Sequence, residues 1–261
     1  MEIKNKSKNN KNNDKNSKFS CFLKKISTFF EKYLFPEDIK CIFCGKDISH
    51  FYEQPYCNSC KKFLHFNNSH RCKICDEPIQ NEATICDNCQ RNKRNFQKIY
   101  CPLIYEGILR SSLISYKNDN KRYLAKGYAK IIYDYIGENF KHFDFITFVP
   151  ITKERLKERS FNQSKQIALK LGELTNLPVI DCLEKIKETR PQKKLNYKER
   201  SENLKGSFRL IKKDEIKNKN CLLVDDIITT CATVDECSKM LKQQARNVYV
   251  TAVARNKIKI N

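Results

Sequence analysis

The sequence predicts an α/β protein whose mostly parallel sheet is preceded by a small cysteine-rich module. Three observations carry that reading. Four Cys-X-X-Cys pairs lie between residues 41 and 89, short apolar runs alternate with amphipathic stretches from residue 100 onward, and an acidic strand end runs into a hydroxyl-rich turn near residue 226. At 261 residues with 40% apolar side chains, the chain can bury at least one full core, and two domains is the natural division.

Residues 1–18 are almost only Lys, Asn and Ser, a composition that cannot bury enough apolar surface to offset its conformational entropy. A disordered tail is expected there. Phe19, Leu23, Ile26, Phe30, Tyr33 and Leu34 then recur at three- and four-residue spacing, which puts them on one face of a helix over 19–36 that Pro36 helps to end. Such a basic amphipathic helix can lie on a membrane, but docking on its own domain is the commoner arrangement. Residues 37–95 form the cysteine module and 96–261 the α/β domain. Within the latter, 100–105, 143–151, 221–226 and 248–254 read as strands, and 109–116, 123–136, 162–174 and 234–244 as helices. Short apolar strands separated by amphipathic helices argue for a parallel sheet covered on both faces. Ligands of such sheets bind at the carboxyl ends of the strands.

The four pairs are Cys41 and Cys44, Cys57 and Cys60, Cys72 and Cys75, and Cys86 and Cys89, with gaps of 12, 11 and 10 residues between them. Two residues between thiolates make a tight knuckle that turns both sulfurs onto one ion, and two knuckles complete a tetrahedral shell. Two structural zinc ions are therefore expected; chain order suggests Cys41, Cys44, Cys57 and Cys60 on one and the other four on the second, with interleaved pairing as the alternative. Gly45, directly after Cys44, suits the knuckle because that turn favours positive φ. A redox-active pair would come singly, and disulfides belong to small secreted proteins. His50, His65 and His70 read as spectators. No apolar leader core and no run of about 18 apolar residues occurs, so a cytoplasmic location is expected.

The formal charge of +21 suits a polyanionic partner, although Lys is abundant throughout and part of the excess reflects that background. Residues 41–94 hold 8 basic and 6 acidic side chains, so the charge does not concentrate in the cysteine module. Residues 185–209 hold nine Lys or Arg against three acids, with Tyr197 and Phe208 among them. That stretch is suited to closing over a pyrophosphate, or to tracking a nucleic-acid backbone while aromatics stack on bases.

The most informative segment is CLLVDDIITTCAT at 221–233. A helix start presents unpaired N–H groups and a positive dipole end, which together bind phosphate. The hydroxyls of Thr229, Thr230 and Thr233 add donors, and Asp225 and Asp226 suit ribose hydroxyls or a magnesium ion on a pyrophosphate. This segment resembles the PRPP-binding signature of type I phosphoribosyltransferases. FVPIT at 148–152, with Arg155, Arg159, Phe161, Asn162 and Gln163, resembles a loop of the ComF family, commonly Val-Pro-Val-Pro followed by Arg-Gly-Phe-Asn-Gln. TRPQ at 189–192, Leu195, Arg200, Asn203, Leu204 and GSF at 206–208 resemble that family's basic loop. YEG at 105–107 with Leu109, Arg110 and Lys117 resembles the start of its α/β domain.

The resemblance spans residues 30–255 and implies a type I phosphoribosyltransferase kind of sheet behind a double zinc ribbon. It also implies PRPP or phosphate binding by Asp225, Asp226, Thr229, Thr230, Cys231, Ala232 and Thr233. Arg155, Arg159, Asn162, Gln163, Arg190, Gln192 and Arg200 would contact pyrophosphate or nucleic acid. The family is implicated in natural competence, so single-stranded DNA and a helicase-type ComF protein are the implied partners. The alternative is an active phosphoribosyltransferase with an unidentified acceptor. Two positions depart from the pattern: Cys231 and Ser160 stand where the family has Gly, so the phosphate turn is either weakened, shifted, or tolerant of a small residue.

Overall fold

The computed structural model describes residues 40–48, 53–68, 70–79, 82–188 and 202–256. The expected tail and amphipathic helix at 1–36 lie outside them, as does His50.

The cysteine module opens the described chain as two consecutive ribbons. Each pairs a knuckle turn with a short helix, α1 (Asn58–Lys61) in the first and α2 (Asp87–Arg91) in the second. Gly45 takes φ +70 after Cys44, the conformation expected of it. The apolar run at 100–105 is interrupted by Pro102 and forms two strands, β1 (Ile99–Tyr100) and β2 (Leu103–Ile104). Then follow α3 (Gly107–Asn118), α4 (Leu124–Ile136), β3 (Phe145–Phe148), α5 (Lys153–Arg159) and α6 (Gln163–Thr175). A two-stranded antiparallel hairpin of β4 (Leu183–Lys185) and β5 (Phe208–Leu210) precedes β6 (Asn220–Ile228), α7 (Ala232–Leu241) and β7 (Asn247–Arg255).

The main sheet is parallel throughout, with order β1–β7–β6–β3; β2 also pairs with β7, and a parallel bridge from Ile146 to Val179 extends the β3 edge. The predicted α/β class with a cysteine module in front of it is therefore the observed one. Sequence patterning did not indicate α5 or the β4–β5 hairpin. Helix α5 buries no residue and so has no apolar stripe to read, and each hairpin strand has three residues.

Period-two alternation along β6 creates two cores, because successive side chains point to opposite faces. Leu222 and Val224 join a core with α3, α4, α6 and the first ribbon. Cys221 and Leu223 join another with α7, the hairpin and the second ribbon. The two ribbons thus pack against different faces of one sheet. Among the described residues no helix is long and apolar enough to cross a membrane.

Candidate functional site

Strand β6 delivers Asp225 and Asp226 to the carboxyl edge of the sheet. Asp225 Oδ1 accepts from the Ser164 hydroxyl and from the Asp226 N–H, each at 2.9 Å. Burial, then the neighbouring Asp226 charge, pushes the Asp225 carboxyl up to about 7, against the pull of those two donors and of Lys117. Asp226 is buried, and Lys117 Nζ at the end of α3 lies 2.7 Å from its Oδ2.

Past Ile228 the chain bends through Thr229 and Thr230 into α7, whose N-cap is Cys231 at φ +68. Ser160, ending α5, takes φ +61. Both non-glycine residues therefore adopt the left-handed backbone that the glycine pattern demands, a conformation costing an L residue about 1–2 kcal/mol. The Cys231 side chain turns inward, where Arg255 Nη1 donates to its Sγ at 2.9 Å. Cys231 and Ala232 are both buried, so a phosphate at the turn would meet their backbone N–H groups and not their side chains.

The loop after β3 and the start of α6 lie beside the aspartates, joined to them through Ser164 and Asp225. Thr152 caps α5 by accepting from the Arg155 N–H at 3.3 Å. Arg155 and Arg159 are partly buried, and burial followed by the Arg155 charge lowers the Arg159 pKa. Asn162 spends its amide on the scaffold: Oδ1 accepts from the Lys165 N–H at 3.1 Å and Nδ2 donates to the Val149 carbonyl at 3.0 Å. Gln163 Oε1 accepts from Arg159 at 3.3 Å, and its carbonyl accepts from the Tyr116 hydroxyl at 2.9 Å. Its buried Nε2 has no partner among the described residues, a donor that a bound anion or water would satisfy. Arg190, Gln192 and Arg200 lie outside the described residues, in the stretch of sequence between β4 and β5.

The structure thus brings the paired aspartates, the threonine turn and the 155–163 segment to one edge. Sequence reasoning did not place Lys117 or Ser164 there. Ser164 directly follows the Phe-Asn-Gln element, and Lys117 closes a helix with an apolar face. Neither signal reveals a partner more than 60 residues away in sequence.

Each set of four cysteines converges. Cys41, Cys44, Cys57 and Cys60 form one cluster and Cys72, Cys75, Cys86 and Cys89 the other, with all sulfurs of a cluster within 4.8 Å of one another. The pairing is consecutive. A tetrahedral ion with metal–sulfur bonds of about 2.3 Å sets sulfurs roughly 3.8 Å apart. Cys44 to Cys57 at 3.8 Å and Cys75 to Cys86 at 3.5 Å fit that shell, so the donor sets suit a closed structural metal. His65 pairs with Glu106 at 3.0 Å and His70 Nε2 lies 2.6 Å from the Ala83 carbonyl, so neither belongs to a cluster.

Fold and site together define a double four-cysteine module joined to an α/β domain built on a parallel sheet. Comparison with known proteins agrees. The chain is 26% identical over 226 residues to competence protein F of Haemophilus influenzae, covering 84% of this chain and 97% of that protein. It is 24% identical over 234 residues to competence protein ComFC of Streptococcus pneumoniae, covering 83% of this chain and 100% of that protein. It is also 23% identical over 191 residues to the DNA utilization protein YhgH of Escherichia coli K12, covering 70% of this chain and 83% of that protein. Its curated homologues are thus named competence protein F, ComFC and DNA utilization protein YhgH, at 23–26% identity over most of the chain, and its two four-cysteine clusters fit a double zinc ribbon. No protein-family model matches it. A solved phosphoribosylpyrophosphate synthetase from Mycobacterium smegmatis aligns at 18% identity with a TM-score of 0.30, over 49% of this chain and 33% of that one, too weak a likeness to carry an argument.

Proposed function

We propose that this chain is a ComFC-like competence protein that binds PRPP or a related phosphorylated ligand at the α7 turn and handles single-stranded DNA during natural transformation. The observation that carries the reading is the arrangement of Asp225 and Asp226 at the strand edge, ahead of a left-handed turn opening a ten-residue helix. Carboxylates there suit ribose hydroxyls or a PRPP-bound magnesium ion, and the helix start suits a 5′-phosphate. Arg155, Arg159 and the basic stretch with Arg190, Gln192 and Arg200 would hold pyrophosphate or a nucleic-acid backbone. The relatives' names, competence protein F and ComFC, support the competence role.

On this reading residues 37–95 form a zinc-loaded interface module for a helicase-type partner, residues 96–261 form the ligand-binding domain, and the protein works in the cytoplasm. A second reading, transfer of phosphoribose, is favoured by Asp225, because a carboxyl pushed to about 7 is matched to proton transfer near neutral pH.

Titrating magnesium–PRPP and short single strands into the zinc-loaded protein tests both. PRPP affinity should fall at least about tenfold in Asp226→Ala, and single-strand affinity should drop steeply with salt. PRPP affinity intact in that variant, or strand binding indifferent to salt, defeats the main reading. Pyrophosphate release in the same titration would establish transfer.

A further inference from the structure

Arg255 is the largest fully buried side chain among the described residues and ends β7 beside the phosphate turn. Its Nε and Nη2 donate to Glu77 Oε2 at 2.7 and 2.6 Å, its Nη1 donates to Cys231 Sγ at 2.9 Å, and its Nη2 reaches Cys75 Sγ at 3.8 Å. Glu77 lies two residues past the ligand Cys75. One guanidinium therefore joins the second cysteine cluster to the N-cap of α7. A second tie runs in parallel: the Asn95 N–H and Nδ2 donate to the Asp235 carboxylate, in the first turn of α7, at 2.8 and 3.2 Å. The first cluster has a different attachment, since its ribbon meets α4 through Ile42 and Pro55 packed over Gly127.

We propose that the second metal site and the phosphate turn act as one thermodynamic unit, with Arg255 as the positioning residue between them. The proposal rests on reading the turn as a phosphate site. Four thiolates on a divalent ion leave a net negative shell, and a buried guanidinium is held only where such charge balances it. Loss of the metal lets the thiolates repel and spread, which removes one side of the Arg255 cage. Cys231 then loses the contact that fixes its side chain. A left-handed cysteine persists only where its surroundings over-determine it, so the turn relaxes and its donors lose their aim. Coupling of this kind is reciprocal: metal at the second site tightens ligand binding, and ligand at the turn retains that metal.

The experiment follows zinc release from the full, zinc-loaded chain into a chromogenic chelator, with and without saturating magnesium–PRPP. Cys44→Ser, at the exposed ligand of the first site, identifies which kinetic phase belongs to which ion. PRPP should slow release from the second site by about fivefold or more and leave the first unchanged. Cys231→Gly suits the left-handed backbone but has no sulfur for Arg255, and in it the slowing should disappear. Calorimetrically proven PRPP binding with unaltered release, equal slowing at both sites, or undiminished slowing in Cys231→Gly overturns the proposal. Absence of any PRPP binding defeats the phosphate reading itself, and this proposal with it.

Discussion

The first ribbon turns its opening knuckle through Gly45 at φ +70, whereas the second makes the same turn through Asp76 at φ +61. Glycine adopts that backbone without steric cost and contributes nothing else. Asp76 is strained there, yet its buried carboxylate accepts from the Cys101 N–H at 2.7 Å and from the Tyr135 hydroxyl at 3.2 Å, with Arg71 at 3.4 Å. The clusters differ in the same sense. Cys44 of the first is exposed, while the second lies against the buried arginines Arg255 and Arg94. Two copies of one motif have thus been put to different uses. Both pack through apolar side chains, but the first adds surface polar contacts such as Gln54 to Asp134, whereas the second is also joined to the sheet by a buried ion pair, Arg255 with Glu77.

The largest test of that difference removes a ligand from each site. Cys75→Ser should leave an insoluble chain, or one whose Tm falls by more than about 10 °C, because a lost ligand also uncages Arg255 and Glu77. Cys44→Ser should lose one zinc ion by metal analysis and keep the α/β domain's thermal transition. Similar Tm losses in the two variants would break the comparison.

A smaller effect probes the apolar attachment. A methyl group at Gly127 would sit 2.6 Å from Ile42 Cγ2 and 3.2 Å from Pro55 Cβ. Gly127→Ala should therefore lower stability by about 1–3 kcal/mol in spite of better helix propensity, and speed zinc release from the first site alone. Unchanged or raised stability would show that the first ribbon is looser on the sheet than its packing implies.

The smallest expected effect concerns pH and the strand both ribbons share. The Asp225 carboxyl is held at about 7 in the folded protein, against about 4 in an unfolded chain. The folded state therefore binds that proton more tightly. Stability from this group is fully present below about pH 4 and is lost as pH rises through 7. Asp225→Asn should flatten that decline, by about 1–2 kcal/mol at pH 8 in thermal or urea unfolding. Zinc release at either site should not change, since Asp225 bonds to Ser164 and its own chain, not to a ribbon.

Local pattern made a large part of this legible. The knuckles announce their metal shells because two intervening residues leave thiolates little choice, and β6, α7 and β7 follow from apolar runs ending in an acidic pair. Expected bounds held within a few residues, although the run at 143–151 narrowed to β3 once Pro150 ended the ladder. Chain order suggested the consecutive pairing of the clusters, but spacing alone also permits interleaving, and the convergence of the sulfurs decides between them. Whether Cys231 weakens the turn, shifts it or is tolerated there stayed open in the sequence, which shows a side chain in place of glycine's hydrogen but not the arginine waiting for the sulfur. Arg255 and Glu77 are 178 residues apart, and nothing local marks either as half of a buried pair.

The central strand β7 lies between β1 and β6 and follows every one of its sheet partners along the chain. During synthesis the ribbons can capture their ions while the sheet still lacks its middle. Every parallel ladder between these strands except β3 with β6 waits for β7 to emerge from the ribosome. A chain interrupted before β7 would therefore keep its cysteine pairs but, of the parallel ladders, only that of β3 with β6, the kind of nascent product that chaperones and proteases must handle.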